Sequence, residues 1–301
     1  MQGKRVLVAG CGKIGLRVAR NLAQDFEVWG LRRSTMGEEQ GLHFIAADLS
    51  EKKPLTEALS EQLNTGVDYL IYCLTPSERD EASYRQTYLN GLQNILETIP
   101  KPSRLERIFF VSSSSVYHQD DSSWVDEQSL CQPNQFSGQI ILEAEKFLQE
   151  SAYASSVIRF TGIYGGSRRH LIKQVQKSAE QHSPILSSAS QLSNRIHEDD
   201  CVGFLAHLLR QANQGNKLEN LYLATDSCPV ELNEVIEWLA HYLDIKIPTN
   251  TSSNKTAGIK RRGGNKKCRN TQMLKSGYVL RFPSYRQGYQ AMLEMPNEES
   301  P

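Results

Sequence analysis

Short apolar runs and amphipathic stretches take turns along the first half of the chain. Residues 6–9, 26–29, 42–46, 67–73, 108–111 and 156–160 are apolar runs of strand length. Between them, 14–22, 54–63, 81–99 and 140–150 return an apolar residue every three or four positions, the spacing of one buried helix face. Continuous apolar runs suit the strands of a parallel sheet that is covered by helices on both sides. Their order predicts an α/β protein with a doubly wound, parallel-sheet Rossmann fold.

Beyond Gly165-Gly166 the chain becomes polar and rich in Ser and Gln up to about residue 193. Apolar periodicity then resumes, predicting a helix over 201–211, a strand over 219–224 and a helix over 232–243. This pattern divides the chain into a Rossmann domain over 1–165, to which 196–226 returns, and a small interleaved C-terminal substrate region over 166–195 and 227–301.

Composition narrows the class. The 301 residues are 39% hydrophobic and 23% charged, enough to bury a core. Lys+Arg and Asp+Glu are equal at 34 each, which argues against nucleic acid or an acidic membrane surface as the main partner. Residues 254–269 carry seven Lys or Arg and no acid, yet lack the interleaved aromatics of a nucleic-acid groove. No apolar run approaches a membrane span, and the four apolar residues before Gly10 are too few for a signal-peptide core. The six cysteines are scattered, with no C-x-x-C pair, so a reduced, cytoplasmic protein without a metal site is expected.

The chemistry begins at Gly10-Cys11-Gly12-Lys13-Ile14-Gly15, a G-x-G-x-x-G between the first strand and the first helix, where a dinucleotide site requires it. Gly10 permits the tight turn, Gly12 the approach of a diphosphate to bare backbone and Gly15 close helix packing. The helix N-terminus offers N–H groups and positive potential to the phosphates. An NAD-selecting site places a carboxylate about 20 residues further on, but this chain reads Gly30-Leu31-Arg32-Arg33-Ser34 there. Arg32 and Arg33, with Ser34, suit a 2′-phosphate, so NADP(H) is the preferred cofactor and NAD(H) the second choice.

Four further segments follow in order: Ala47-Asp48-Leu49, Val111-Ser112-Ser113-Ser114-Ser115-Val116-Tyr117, Arg159-Phe160-Thr161-Gly162-Ile163-Tyr164-Gly165 and Arg195-Ile196-His197-Glu198-Asp199-Asp200. With the glycine loop they resemble the extended short-chain dehydrogenase/reductase superfamily, which includes nucleotide-sugar epimerases and dehydratases, over nearly the whole chain. The last segment is similar to that family's "H-V-D-D" stretch. The resemblance implies that Asp48 and Leu49 meet the adenine, that Cys11, Cys73 and Leu74 lie against the cofactor, and that Ser113 is the serine of the family's Ser, Tyr and Lys set. The Tyr-x-x-x-Lys pair is missing. Alignment on the family's P-x-x-Y start puts Phe136 and Ile140 in its place, and alignment on its A-E end puts Ser137 and Ile141 there. Tyr88 replaces a family asparagine on a helix expected to face the nicotinamide, making its phenol the second catalytic candidate beside Ser113. This departure resembles the atypical branch of the superfamily and bacterial proteins labelled NAD-dependent epimerase/dehydratase.

The resemblance implies an oxidoreductase or epimerase/dehydratase-like enzyme with an altered proton relay, acting on a small polar, sugar-like or phosphorylated substrate between the two regions. The alternative is a catalytically weak NADP(H)-binding sensor or regulatory protein. Tyr117 and Tyr164 are expected to pack with their hydroxyls bonded, and His118 to be a loop histidine. His197, Asp199 and Asp200 are expected to anchor the second region. Arg168, Arg169 and Arg195 with the run Lys260-Arg261-Arg262, Lys266, Lys267 and Arg269 form either a phosphate site or a solvated loop. Helices 81–99 and 140–150 occupy positions that many relatives use for a dimer seam, so a homodimer is a further expectation.

Overall fold

The computed structural model describes residues 3–34, 36–37, 39, 41–64, 66–100, 104–166, 168–189, 191–248 and 264–294. The apolar runs form strands β1 (Arg5–Ala9), β2 (Glu27–Arg32), β3 (Leu42–Ala46), β4 (Tyr69–Tyr72) and β5 (Arg107–Ser113), followed by Ser155–Phe160 and Leu221–Ala224. Among the described residues these seven make one sheet in the order Leu221–Ala224, Ser155–Phe160, β5, β4, β1, β2, β3, and every pairing in it is parallel. The chain winds outward from β1 through β2 and β3, then returns to β4 beside β1 and winds the other way. Open α/β sheets bind ligands at the carboxyl ends of the strands flanking such a reversal.

Successive side chains along a strand point to opposite faces, and both faces here are buried. Val6 and Val8 of β1 join the core beneath α1 (Lys13–Leu22), whereas Leu7 and Ala9 join the core beneath α2 (Lys52–Gln62). On the α2 side lie also α3 (Glu81–Arg85), α4 (Gly91–Thr98) and α5 (Phe136–Gln149); α6 (His170–Glu180) and α7 (Glu198–Asn213) follow, and α7 packs beside α1. Then come α8 (Leu232–Tyr242), α9 (Thr271–Lys275) and α10 (Tyr285–Glu294). Helices α6, α8 and α10 gather around a third core containing Tyr164, Leu171, Val235, Leu239 and Tyr289.

Several boundaries differ from the sequence pattern, among them three that bear on the site. Strand β2 runs on through Gly30 to Arg32, because a Cβ at Gly30 would meet Cys11 Sγ at 2.6 Å and only glycine lets the strand pass under the β1–α1 turn. Helix α5 starts at Phe136, four residues before its apolar periodicity becomes regular. The single helix expected over 81–99 is α3 and α4 joined by a π-helical turn, Gln86–Asn90. Tyr72 explains the turn: its hydroxyl donates to the Thr87 carbonyl, and Gly91, whose own N–H bonds Gln86 O, lies where a Cβ would be 2.6 Å from that hydroxyl. A side chain inserted in this way widens the helical ladder.

Candidate active site

At the carboxyl edge of the sheet a cavity of about 500 Å³ opens between the β1–α1 turn and the ends of β2, β4, β5 and Ser155–Phe160. It is lined by Gly10, Cys11, Gly12, Lys13, Ile14, Gly15, Arg32, Arg33, Ser34, Asp48, Leu49, Cys73 and Leu74 at one end and by Tyr88 and Ser113 at the other. Residues from six separated segments of the sequence thus meet in one cleft.

The turn has the shape a diphosphate needs. Gly10 sits at φ +97°, and its N–H donates to Leu31 O at 3.0 Å, locking the turn onto β2. An added side chain at Gly12 would enter open space, so at that position the turn offers bare backbone. At Gly15 a Cβ would collide with the Gly10 carbonyl. The first turn of α1 carries no acidic residue and no side-chain cap, which leaves its positive end directed at the cavity. These residues fit the diphosphate of a dinucleotide.

Arg32 ends β2 and Arg33 and Ser34 follow it, and no salt bridge is formed by either arginine among the described residues. Asp48 accepts from the Ser50 N–H at 2.8 Å and from its hydroxyl at 2.7 Å. Burial pushes the Asp48 carboxyl up, but these two donors and the charge of Arg33 outweigh it and hold the carboxyl below its ordinary range. It is therefore an anionic acceptor at neutral pH. Burial pushes the Cys11 and Cys73 thiols up to about 12, so both behave as small apolar wall groups.

At the other end, Ser113 closes β5 and its Oγ accepts from the Ser115 N–H at 3.1 Å, leaving the hydroxyl proton to donate. Tyr88 projects from the π-helical turn and packs on Tyr84 and Phe110, with ring centroids 5.7 and 6.3 Å away. Burial raises its phenol above the ordinary value, so it holds its proton throughout the neutral range. Neither register of the missing Tyr-x-x-x-Lys pair lines the cavity. Ile140 and Ile141 are buried in two different cores, and Phe136 packs edge-on against Tyr84.

Behind this end lies a buried ionic group that sequence reasoning did not assemble. Arg159 makes a fork with Glu145 at 3.0 and 2.6 Å, donates to Tyr117 Oη at 2.8 Å, and the Ser112 hydroxyl on the cavity wall donates to Glu145. Arg159, Glu145 and Tyr117 are visible in the sequence, but nothing local pairs residues 14 and 42 positions apart. Gln86 and Thr87 also line the cavity and were missed, because their exposure depends on the π-helical turn.

The remaining candidates separate. Tyr117 is bonded as expected, also donating to Asp126 O at 2.8 Å. Tyr164 is packed against Tyr289, but its hydroxyl is buried without a partner among the described residues, contrary to expectation. His118 does not line the cavity. His197 Nδ1 accepts from the Asp199 N–H and caps α7; burial, with the charges of Arg17 and Arg281, lowers it to about 4 despite Asp199, so it is neutral. Asp200 accepts from Tyr278 Oη and from the N–H groups of Arg281 and Phe282, tying the C-terminal segment to α7. The basic run is no single patch. Lys266 is buried and donates to Tyr117 O, Lys267 and Arg269 lie over the Trp124 ring, and Lys260, Arg261 and Arg262 fall outside the described residues. Among the described residues no three His, Cys, Asp or Glu side chains are grouped to hold a metal ion, and no helix is long and apolar enough to cross a membrane.

Comparison with known proteins agrees with this geometry. The profile of the NAD dependent epimerase/dehydratase family matches residues 6–224. A Methylobacillus flagellatus protein of the NAD-dependent epimerase/dehydratase kind is 36% identical, with a TM-score of 0.79, over 97% of this chain and 98% of that one. Two more distant structures share the fold. Thermus thermophilus UDP-glucose 4-epimerase, in complex with NAD, has a TM-score of 0.75 and 16% identity over 96% of this chain and 98% of its own. MoeE5, in complex with UDP-glucose and NAD, has a TM-score of 0.73 and 20% identity over 96% and 97%. No curated protein sequence matches.

Proposed function

The chain belongs to the NAD-dependent epimerase/dehydratase family, and from this premise we propose that it binds a nicotinamide dinucleotide in the cavity and acts on a small polar, sugar-like or phosphorylated substrate placed against Ser113 and Tyr88. The observation that carries the reading is the turn Gly10–Gly15, in which bare backbone at Gly12 and the uncapped start of α1 face the same cleft as Ser113. Asp48 and Leu49 hold the adenine end, Cys73 and Leu74 form the wall beyond the diphosphate, and Arg32, Arg33 and Ser34 take the 2′-phosphate of NADP(H). The distant structures named above hold NAD, so the arginine pair is the reason for a different preference here.

When bound, the nicotinamide supplies hydride exchange with a substrate carbon. The chain's own groups supply the rest. Ser113 donates its hydroxyl proton to a substrate oxygen and fixes its position, and Tyr88, kept protonated by burial, acts as the acid. A sensor or regulatory role is the second reading. It is favoured by the lack of a Tyr and a Lys in either register, the lysine position being filled by Ile140 or Ile141, each part of a core.

The test is a titration of the full chain with NADPH and NADH, followed by tryptophan fluorescence, and repeated with Arg32→Ala/Arg33→Ala. The expected result is tighter binding of NADPH and its selective loss in the variant, by roughly ten-fold or more for two charge-assisted contacts. Equal affinities that the variant leaves unchanged would reject the NADP(H) preference.

A further inference from the structure

Helix α7 opens with His197-Glu198-Asp199-Asp200, which follows the family's H-V-D-D pattern except that a carboxylate stands where the pattern has valine. Glu198 is only 8% exposed. Room for it is made by Gly165 and Gly166, both in the left-handed region at φ +125° and +46°. A Cβ on Gly165 would lie 2.7 Å from Glu198 Cγ, and one on Gly166 would strike its carboxylate. That carboxylate is divided between two arginines: Oε1 accepts from Arg17 Nη1 at 2.8 Å, and Oε2 from Arg168 Nη1 at 3.3 Å. Arg17 projects from α1 and does not line the cavity, whereas Arg168 does, close enough to Cys73 for that thiol to feel its charge. Arg17 is also held by Asp199, which pairs in turn with Arg281 at 3.1 Å.

We propose that Glu198 is a positioning residue which, by sharing one negative charge between Arg17 and Arg168, sets how freely Arg168 turns its guanidinium to the diphosphate of a dinucleotide in the cavity. This rests on the dinucleotide reading above. The shorter contact belongs to Arg17, so much of the Glu198 charge is satisfied outside the cavity and Arg168 is held loosely. Without Arg17 the carboxylate turns wholly to Arg168 and competes with the ligand's phosphates. With a neutral amide at 198, Arg168 has no competitor. The two substitutions therefore act in opposite directions, whereas a purely structural contact would make both of them harmful.

The experiment is an NADPH titration of the full chain carrying Glu198→Gln, Arg17→Ala or Arg17→Lys, each also combined with Arg168→Ala, with thermal melting to establish that each variant is folded. Glu198→Gln should tighten binding and Arg17→Ala weaken it, each by roughly three- to five-fold, the range of a partly exposed ion pair. Arg17→Lys, which keeps the charge, should restore the native affinity and preserves the test if Glu198→Gln does not fold. In the Arg168→Ala background neither change should move the affinity. A native chain that binds no dinucleotide overturns the cofactor reading and this inference with it. Native binding that both substitutions weaken, or effects that persist without Arg168, overturns the role of Glu198 alone.

Discussion

Asp226 follows the strand Leu221–Ala224 and is 1% exposed; its Oδ1 accepts from the Cys228 N–H at 3.0 Å, while its Oδ2 has no partner among the described residues. Burial pushes the carboxyl up to about 7, and the Cys228 N–H and the charge of Arg195 offset this only in part. The folded value thus lies above the unfolded one of about 3.9. At low pH both states are protonated and the residue costs nothing. Between about pH 4 and about pH 7 the unfolded chain releases its proton first, so stability falls as pH rises, and above the folded value the whole penalty is present. Asp226→Asn should raise stability at about pH 8 by up to about 4 kcal/mol and change little at about pH 4, as read by denaturant unfolding at the two pH values. An equal effect at both would show that the charge is not the cause. Positions set by local geometry were legible without the structure. Gly10 and Gly12 belong to a turn of six residues, and Arg32 and Arg33 to the end of one strand, and all four line the cavity. The fate of the Tyr164 hydroxyl was not legible, since it depends on Tyr289, which lies far along the chain.

Between elements, the fork of Arg159 and Glu145 joins α5 to the strand Ser155–Phe160 directly behind Ser112. Their side chains are 5% and 1% exposed, so loss of one charge leaves the other buried without compensation. Glu145→Gln should lower unfolding stability by about 3–5 kcal/mol, measured by urea denaturation. A loss below about 1 kcal/mol, the size of a surface pair, would mean that the group is hydrated and does not brace the site. Elements were read correctly from the pattern where one buried face ran through the whole segment, as in α1. The segment over 81–99 kept its helical period while the structure inserts a π-helical turn, because the cause is the Tyr72 hydroxyl from another element.

For the molecule as a whole, the seam that the family resemblance implied is polar on its outer side. Exposed positions on α3, α4 and α5 are Glu81, Ala82, Arg85, Gln93, Glu97, Gln139, Glu143, Lys146 and Gln149, all polar but Ala82, and Arg85 pairs with Glu81 and Glu143 at 3.2 and 3.1 Å. Among the described residues the large apolar side chains left exposed are Trp124, Leu130, Tyr242, Leu274 and Val279, none of them on these helices. A stable homodimer interface is more apolar than this. Light scattering should therefore find no dimer held by α3–α5 at micromolar concentration. A dimer broken by charge reversal at Arg85 and Glu97 would refute that expectation.

By itself the sequence determined the sheet's composition, the winding class, the glycine turn between the first strand and the first helix and the absence of Tyr-x-x-x-Lys, since each follows from side-chain period or from residues adjacent in the chain. The tertiary structure alone decided that Ser113, Tyr88 and Arg168 line one cleft with Gly10–Gly15, that Glu145 meets Arg159, and that Glu198 is divided between Arg17 and Arg168. Those are contacts between segments far apart in the chain, and their partners are set by how helices pack on a twisted sheet, a geometry to which no local pattern of apolar and polar residues corresponds.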